Sequence, residues 1–166
     1  WVILAARTSK KASLIAGLVM AAAGYCLMGL APTGSLTLPL IAVALAGAGG
    51  GAIPVMLWSM VPDSIEYGEF RTGERIEART FGLTTFAQKS AVGLTALMAG
   101  GLLTLSGYAG GQSVDGEALG TIRAMVSWLP AGFMAAIALA VSRYPLTEAR
   151  HREIVTKLAA RNSKPV

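Results

Sequence analysis

The 166-residue chain is poor in the side chains that carry out most protein chemistry. It contains one cysteine and one histidine, only nine aspartates and glutamates, and charged residues make up 14% of it. Cys26, a lone thiol within an apolar block, cannot close an intramolecular disulfide, and nothing around it suggests a metal cluster. His151 lies in the basic tail, which excludes a histidine-dependent catalytic triad inside the apolar segments. Long polar stretches, which a soluble domain needs to cover its core, are scarce as well.

What is present is apolar. Hydrophobic residues make up 54% of the chain, and the mean hydropathy is +0.58, a balance that disfavours a soluble fold. These residues form four blocks, at about 12–31, 38–61, 81–106 and 124–142. Each is long enough for a helix to cross ~30 Å of hydrocarbon. The pattern predicts an all-α integral membrane protein with four transmembrane helices in the lipid bilayer.

Charge gives the expected orientation. Of the fourteen Lys and Arg residues, twelve fall on one side: Arg7, Lys10, Lys11, Arg71, Arg75, Arg79, Arg143, Arg150, Arg152, Lys157, Arg161 and Lys164. The other side has only Arg123, and Lys89 lies inside the third block. The positive-inside rule then places both ends, a loop over 62–80 and a tail over 143–166 in the cytoplasm. The basic tail reads as a segment held near anionic lipid; no aromatic or base-reading pattern accompanies it, so no nucleic-acid partner is expected. The opening run WVILAA, followed at once by basic residues, reads as the end of an earlier span, so the chain is expected to be part of a longer protein.

Spans one and four have few polar side chains and read as lipid-facing or purely structural, with Pro130 marking a kink in the fourth. Span two contains GAGGGAIP over 47–54. Such a cluster either loosens the helix or lets another helix approach closely. Without a preceding strand or a following acidic partner, it is not a dinucleotide-binding turn.

Span three alone has a polar stripe. Thr84, Thr85, Gln88 and Lys89 lie at i, i+1, i+4 and i+5 and share one helical face. Lys89 is about 12 Å along the axis from Phe81. Burying it in lipid would cost about 3 kcal/mol. It either faces a polar cavity or snorkels to the cytoplasmic surface. A cationic, hydroxyl-rich face suits a polyhydroxylated ligand or a carboxylate on another helix.

The segment between spans two and three places Asp63, Glu66, Glu69, Glu74 and Glu77 among Arg71, Arg75 and Arg79. Singly these read as solvated loop charges. As a group they suit weak ion pairs that close an inner gate in one transport state.

The whole stretch PDSIEYGEFRTGERIEARTFGLTTFAQK, residues 62–89, resembles the glycoside-pentoside-hexuronide:cation symporters, the melibiose-permease and glucuronide-carrier family of the major facilitator superfamily. The resemblance is carried by Asp63, by Glu66-Tyr67-Gly68-Glu69, by Thr72-Gly73-Glu74-Arg75 and by Thr85-Phe86-Ala87-Gln88-Lys89.

The resemblance implies that the spans are helices nine to twelve of a twelve-helix fold, with ten and eleven lining a central cavity. It assigns Lys89 to the region where sugar and coupling cation meet, and Thr84 and Thr85 to positions near the sugar. Pro54 stands where the melibiose branch has a tryptophan of the sugar site, leaving Trp58, about a turn away, as the candidate stacking platform. Asp63, Glu66, Tyr67, Glu69, Arg75 and Glu77 would form the cytoplasmic gate. Implied partners are a sugar-type small molecule, a monovalent cation (sodium or proton) and the remaining N-terminal helices. The main cation carboxylates would lie in the first half of the fold. No cofactor, metal or enzymatic activity is implied. A carrier of a sulfonated or lipid-like substrate, and a non-transporting scaffold or sensor, are the alternatives.

Overall fold

The computed structural model describes residues 1–32, 34–106, 116–145 and 148–162, and among these every regular element is helical. The outer connection over 107–115 and the last residues of the tail lie outside them. The elements are α1 (Val2–Arg7), α2 (Lys10–Leu30), α3 (Thr37–Gly50), α4 (Ala52–Thr72), α5 (Glu77–Leu105), α6 (Gly116–Val126), α7 (Trp128–Ser142) and α8 (Glu148–Asn162).

Helix α2 begins where the Ser9 side chain accepts the Ala12 amide at 3.0 Å, satisfying one of the unpaired donors of a first turn. It ends at Ala31, whose extended backbone suits the residue before Pro32. Its buried Ser13, Gly17, Ala21 and Gly24 make one narrow small-residue face. Facing it on α3 are Ala42, Ala46 and Gly49. A Cβ at Gly24 would lie 2.5 Å from the Ala46 nitrogen, and one at Gly49 would lie 2.4 Å from the Ala21 nitrogen. The two backbones therefore touch, in the small-residue packing used where lipid gives helices no hydrophobic reason to associate.

Span one is thus no lipid-facing bystander: α2 packs on α1, α3, α4, α6 and α7. Its Leu14 and Leu18 join Met56 of α4 in the main core, against which Met134, Ala138 and Val141 of α7 also pack.

Both readings of the glycine cluster are met. Gly49 makes the close contact, and the helix is interrupted at Gly51, between α3 and α4. Pro54 falls in the first turn of α4 and Pro130 in the first turn of α7. Each lies three residues after an interruption, at Gly51 and Ser127, because the amide it lacks would have bonded the carbonyl four residues back, that of Gly50 or Val126. The fourth span is accordingly divided at Ser127, a fully buried residue between α6 and α7, one turn before Pro130 where the expected kink falls.

The loop expected over 62–80 shrinks to residues 73–76. Helix α4 runs through Pro62 to Thr72 because Val61, Ile65 and Glu69, four residues apart, form a buried stripe. Gly73 stops it at φ +81°, a backbone conformation that glycine adopts without strain, and its amide bonds the Glu69 carbonyl at 2.9 Å. Residues 148–162 of the tail likewise form a docked helix: Ile154 and Leu158 of α8 are buried against Tyr67 and Tyr144.

Among the described residues three helical segments, rather than four, are long and apolar enough to cross a membrane: Lys10–Leu30, Thr37–Thr72 and Leu119–Ser142. Helix α5, at 29 residues, has ample length. Its stripe of Thr84, Thr85, Gln88 and Lys89 dilutes the apolar run that such a span needs. It also buries no residue against the other helices.

Candidate functional site

The polar stripe of α5 is divided by its surroundings. Thr84 and Thr85 are half-buried, whereas Gln88 and Lys89 are exposed. The Thr84 hydroxyl donates to the Thr80 carbonyl at 2.8 Å, and Thr84 lines a cavity of about 460 Å3 shared with Leu14, Met60, Ser64, Val141 and Tyr144. Lys89 has no hydrogen bond or ion pair among the described residues. Trp58, 41% exposed, stacks on Phe81 at the start of α5, with ring centroids 6.2 Å apart and planes 13° from parallel. These helices therefore do not gather Trp58, Gln88 and Lys89 into one enclosed pocket.

The charged residues at the other end do converge. Because α4 continues as a helix, Asp63, Glu66 and Tyr67 recur at three- and four-residue spacing and face the same neighbours. Lys10, in the first turn of α2, donates its ammonium to both Asp63 oxygens at 2.9 and 2.7 Å and to the Ser59 carbonyl at 3.1 Å. Its backbone amide donates to Glu148 at 3.1 Å. His151 Nε2 lies 2.5 Å from Glu66 and 3.6 Å from Asp63.

A second cluster forms one turn further along. Glu69, only 8% exposed, pairs with Arg75 at 3.2 Å and lies 3.9 Å from Arg161 of α8. Arg75 also reaches Glu77 at 2.9 Å. Its hydrogen bond to Glu77 and that carboxylate's charge, followed by the bond to Glu69, push the guanidinium above its ordinary pKa. Tyr67 takes the Arg150 guanidinium over its ring, 5.8 Å from the centroid.

Of the six residues read from the sequence as a gate, Asp63, Glu66, Tyr67 and Glu69 thus find partners on α2 and α8, whereas Arg75 and Glu77 pair with each other and Arg75 with Glu69. His151 and Lys10 were missed as members of the cluster. The signal for His151 was available: it precedes Ile154 by three residues and Leu158 by seven, the spacing of one helical face. Glu148 and Arg161 continue that face, so a docked α8 carries the imidazole and these charges against its neighbours. Such an arrangement makes and breaks ion pairs and carries no nucleophile beside a base. Among the described residues no group of three or more His, Cys, Asp or Glu side chains could hold a metal ion.

Residues 1–148 match the family described as MFS/sugar transport protein. The chain belongs to that family. This sugar transport family member is accordingly a multi-pass membrane protein of a transporter family and not an enzyme. It is 33% identical over 93% of its length to the glucuronide carrier protein homolog of Escherichia coli strain K12, covering 34% of that protein. It is 29% identical over 93% of its length to a putative sulfoquinovose importer of Salmonella typhimurium, covering 33% of it. To the isoprimeverose transporter of Lactiplantibacillus pentosus it is 28% identical over 81% of its length, covering 29% of that protein. The chain thus spans about a third of the length of these curated relatives. No solved structure matches it. The family match stops at the first residue of α8, so His151 lies beyond it.

Proposed function

We propose that this chain is the C-terminal part of a twelve-helix secondary carrier, contributing helices nine to twelve, which couples a sodium or proton gradient to uptake of a glycoside, pentoside or hexuronide. The two halves would rock around a midplane site. The observation that carries the reading is the exposed Gln88–Lys89 end of the α5 stripe, an amide and an ammonium left uncovered within a long helix of a sugar-transporter family member. Such groups are costly against lipid and suit a water-filled cavity shared with further helices.

In this reading α5 crosses the membrane as the third of four spans, Lys89, Gln88, Thr85, Thr84 and Trp58 face substrate and cation, and both ends of the chain lie in the cytoplasm of a cell membrane. Asp63, Glu66, Tyr67, Glu69, Arg75 and Glu77 act as the inner gate. The contacts of Asp63, Glu66 and Glu69 to α2 and α8 are the kind of weak, exchangeable ion pairs that an alternating gate can break. A sulfonated sugar is a second candidate substrate, because a putative sulfoquinovose importer is among the relatives and Lys89 offers a cation for a sulfonate.

The test is uptake of labelled glycosides, pentosides, uronides and sulfonated sugars into vesicles holding the full-length protein, with and without sodium and proton gradients. The expected result is gradient-driven accumulation that is lost in Lys89→Gln while the protein still reaches the membrane. Accumulation retained in that variant reduces Lys89 to a snorkelling side chain. No accumulation of any member of the panel turns the reading to a lipid-like substrate or a scaffold.

A further inference from the structure

The only histidine of the chain occupies a place that a merely solvated tail residue would not. Its side chain is 22% exposed, and Nε2 faces two carboxylates of α4: Glu66 at 2.5 Å and Asp63 at 3.6 Å. Nε2 must carry a hydrogen to approach them, but only the imidazolium adds charge to that contact. The other charged groups around it are Lys10 of α2, held by Asp63, and Glu148 and Arg152 of α8, which lie 3.8 Å apart. All of these except Glu66 border a cavity of about 390 Å3 that also contains His151. Lys11, whose ammonium is held by the Ser142 and Tyr144 carbonyls, borders a second cavity with His151, Asp63 and Glu148. With His151 neutral, Glu66 loses the positive charge that an imidazolium 2.5 Å away supplies.

We infer that His151, Asp63 and Glu66 form a proton-binding site that fastens α8 to α4, so that the tail helix is held when the imidazole is charged and loosens when it is not. Imidazole is the side chain suited to this, since its charge ordinarily changes between pH 5 and 8. The apolar part of the joint is small, with Ile154 and Leu158 as its buried residues, against Tyr67 and Tyr144. Electrostatics therefore weighs heavily in whether α8 stays docked. The sign follows from the groups present. An imidazolium facing two carboxylates adds an attraction that favours docking, and a neutral imidazole does not supply it. A proton taken up at this site would also tighten the Asp63–Glu66 part of the proposed gate. Only that consequence for transport depends on the gate reading; the proton site and the docking stand apart from it.

The experiment is a pulsed electron paramagnetic resonance distance measurement on the full-length protein in nanodiscs. Spin labels are placed at the exposed positions Arg71 of α4 and Ala159 of α8 in a background free of other accessible cysteines, from pH 5.5 to 8.5. The wild-type protein should give one narrow distance at pH 5.5, which broadens and lengthens with a single-proton transition. His151→Gln, which can donate a hydrogen bond but cannot gain charge, should give a broad, pH-independent distribution. His151→Lys, charged throughout, should be narrow at every pH. Glu66→Gln should be broader than wild type at pH 5.5. A wild-type distance that does not respond to pH, or a His151→Gln variant that titrates like wild type, overturns the inference. Loss of the distance response with sugar uptake intact would remove the proton site and leave the carrier reading standing. The distance response with no uptake of any sugar would do the reverse.

Discussion

The ammonium of Lys10 grips both carboxylate oxygens of Asp63, at 2.7 and 2.9 Å, and so joins the first turn of α2 to the far half of α4, 53 positions along the chain. The side chains are 33% and 15% exposed, between a surface pair and a buried one. A double-mutant cycle with Lys10→Met and Asp63→Asn, followed by thermal unfolding in detergent, should give a coupling of about 1–2 kcal/mol. Additive effects of the two changes would mean that the pair does not tie the helices in solution.

The α2–α3 contact leaves no room for larger side chains. Gly24→Leu and Gly49→Leu should each lower stability by about 1–3 kcal/mol or more, because each new Cβ meets backbone that cannot turn away. Gly47→Ala, where a Cβ meets nothing within 4 Å, should be neutral to within about 0.5 kcal/mol. Thermal midpoints and size-exclusion profiles of the three variants check the contrast.

Arg123 has a structural use. Its Nε donates to the Gly29 carbonyl at 2.9 Å, and its terminal nitrogen to the Ala31 carbonyl, so it closes the end of α2. Replacing it with Met should leave these acceptors unpaired and cost about 1–3 kcal/mol, seen as a lower thermal midpoint.

Glu153 of α8 bonds Lys157 at 2.5 Å, one helical turn on, and this bond with the lysine's charge holds the carboxyl below its usual range. A depressed carboxyl stabilises the helix above its unfolded pKa and ceases to do so as pH falls through its folded value. Lys157→Met should therefore return the Glu153 titration, followed by NMR on an isotope-labelled sample, toward the ordinary carboxylate range. It should also remove the cation lying 5.9 Å from the Phe70 ring centroid. An unchanged Glu153 titration would show that the pair is not formed.

Composition and periodicity by themselves determined a helical membrane protein. Blocks as long as 12–31 and 38–61, with so few charges, have no other stable solution. The order of residues over 62–89 was enough for the family, because a long run of specific side chains carries that information without coordinates. The polar character of α5 was also visible, since a lysine beside glutamine and threonine needs no partner to be conspicuous in an apolar helix.

The tertiary structure alone decided where helices end and what the charges touch. Pro62 and the carboxylates after Val61 suggested a loop, but the buried Val61–Ile65–Glu69 stripe carries α4 on to Thr72. That extension supplies the surface on which α8 docks, and docking in turn brings His151 to Glu66, 85 positions away. Local sequence encodes propensity and spacing. Which distant face receives a helix depends on burial shared between two segments, and that is expressed only once both have folded.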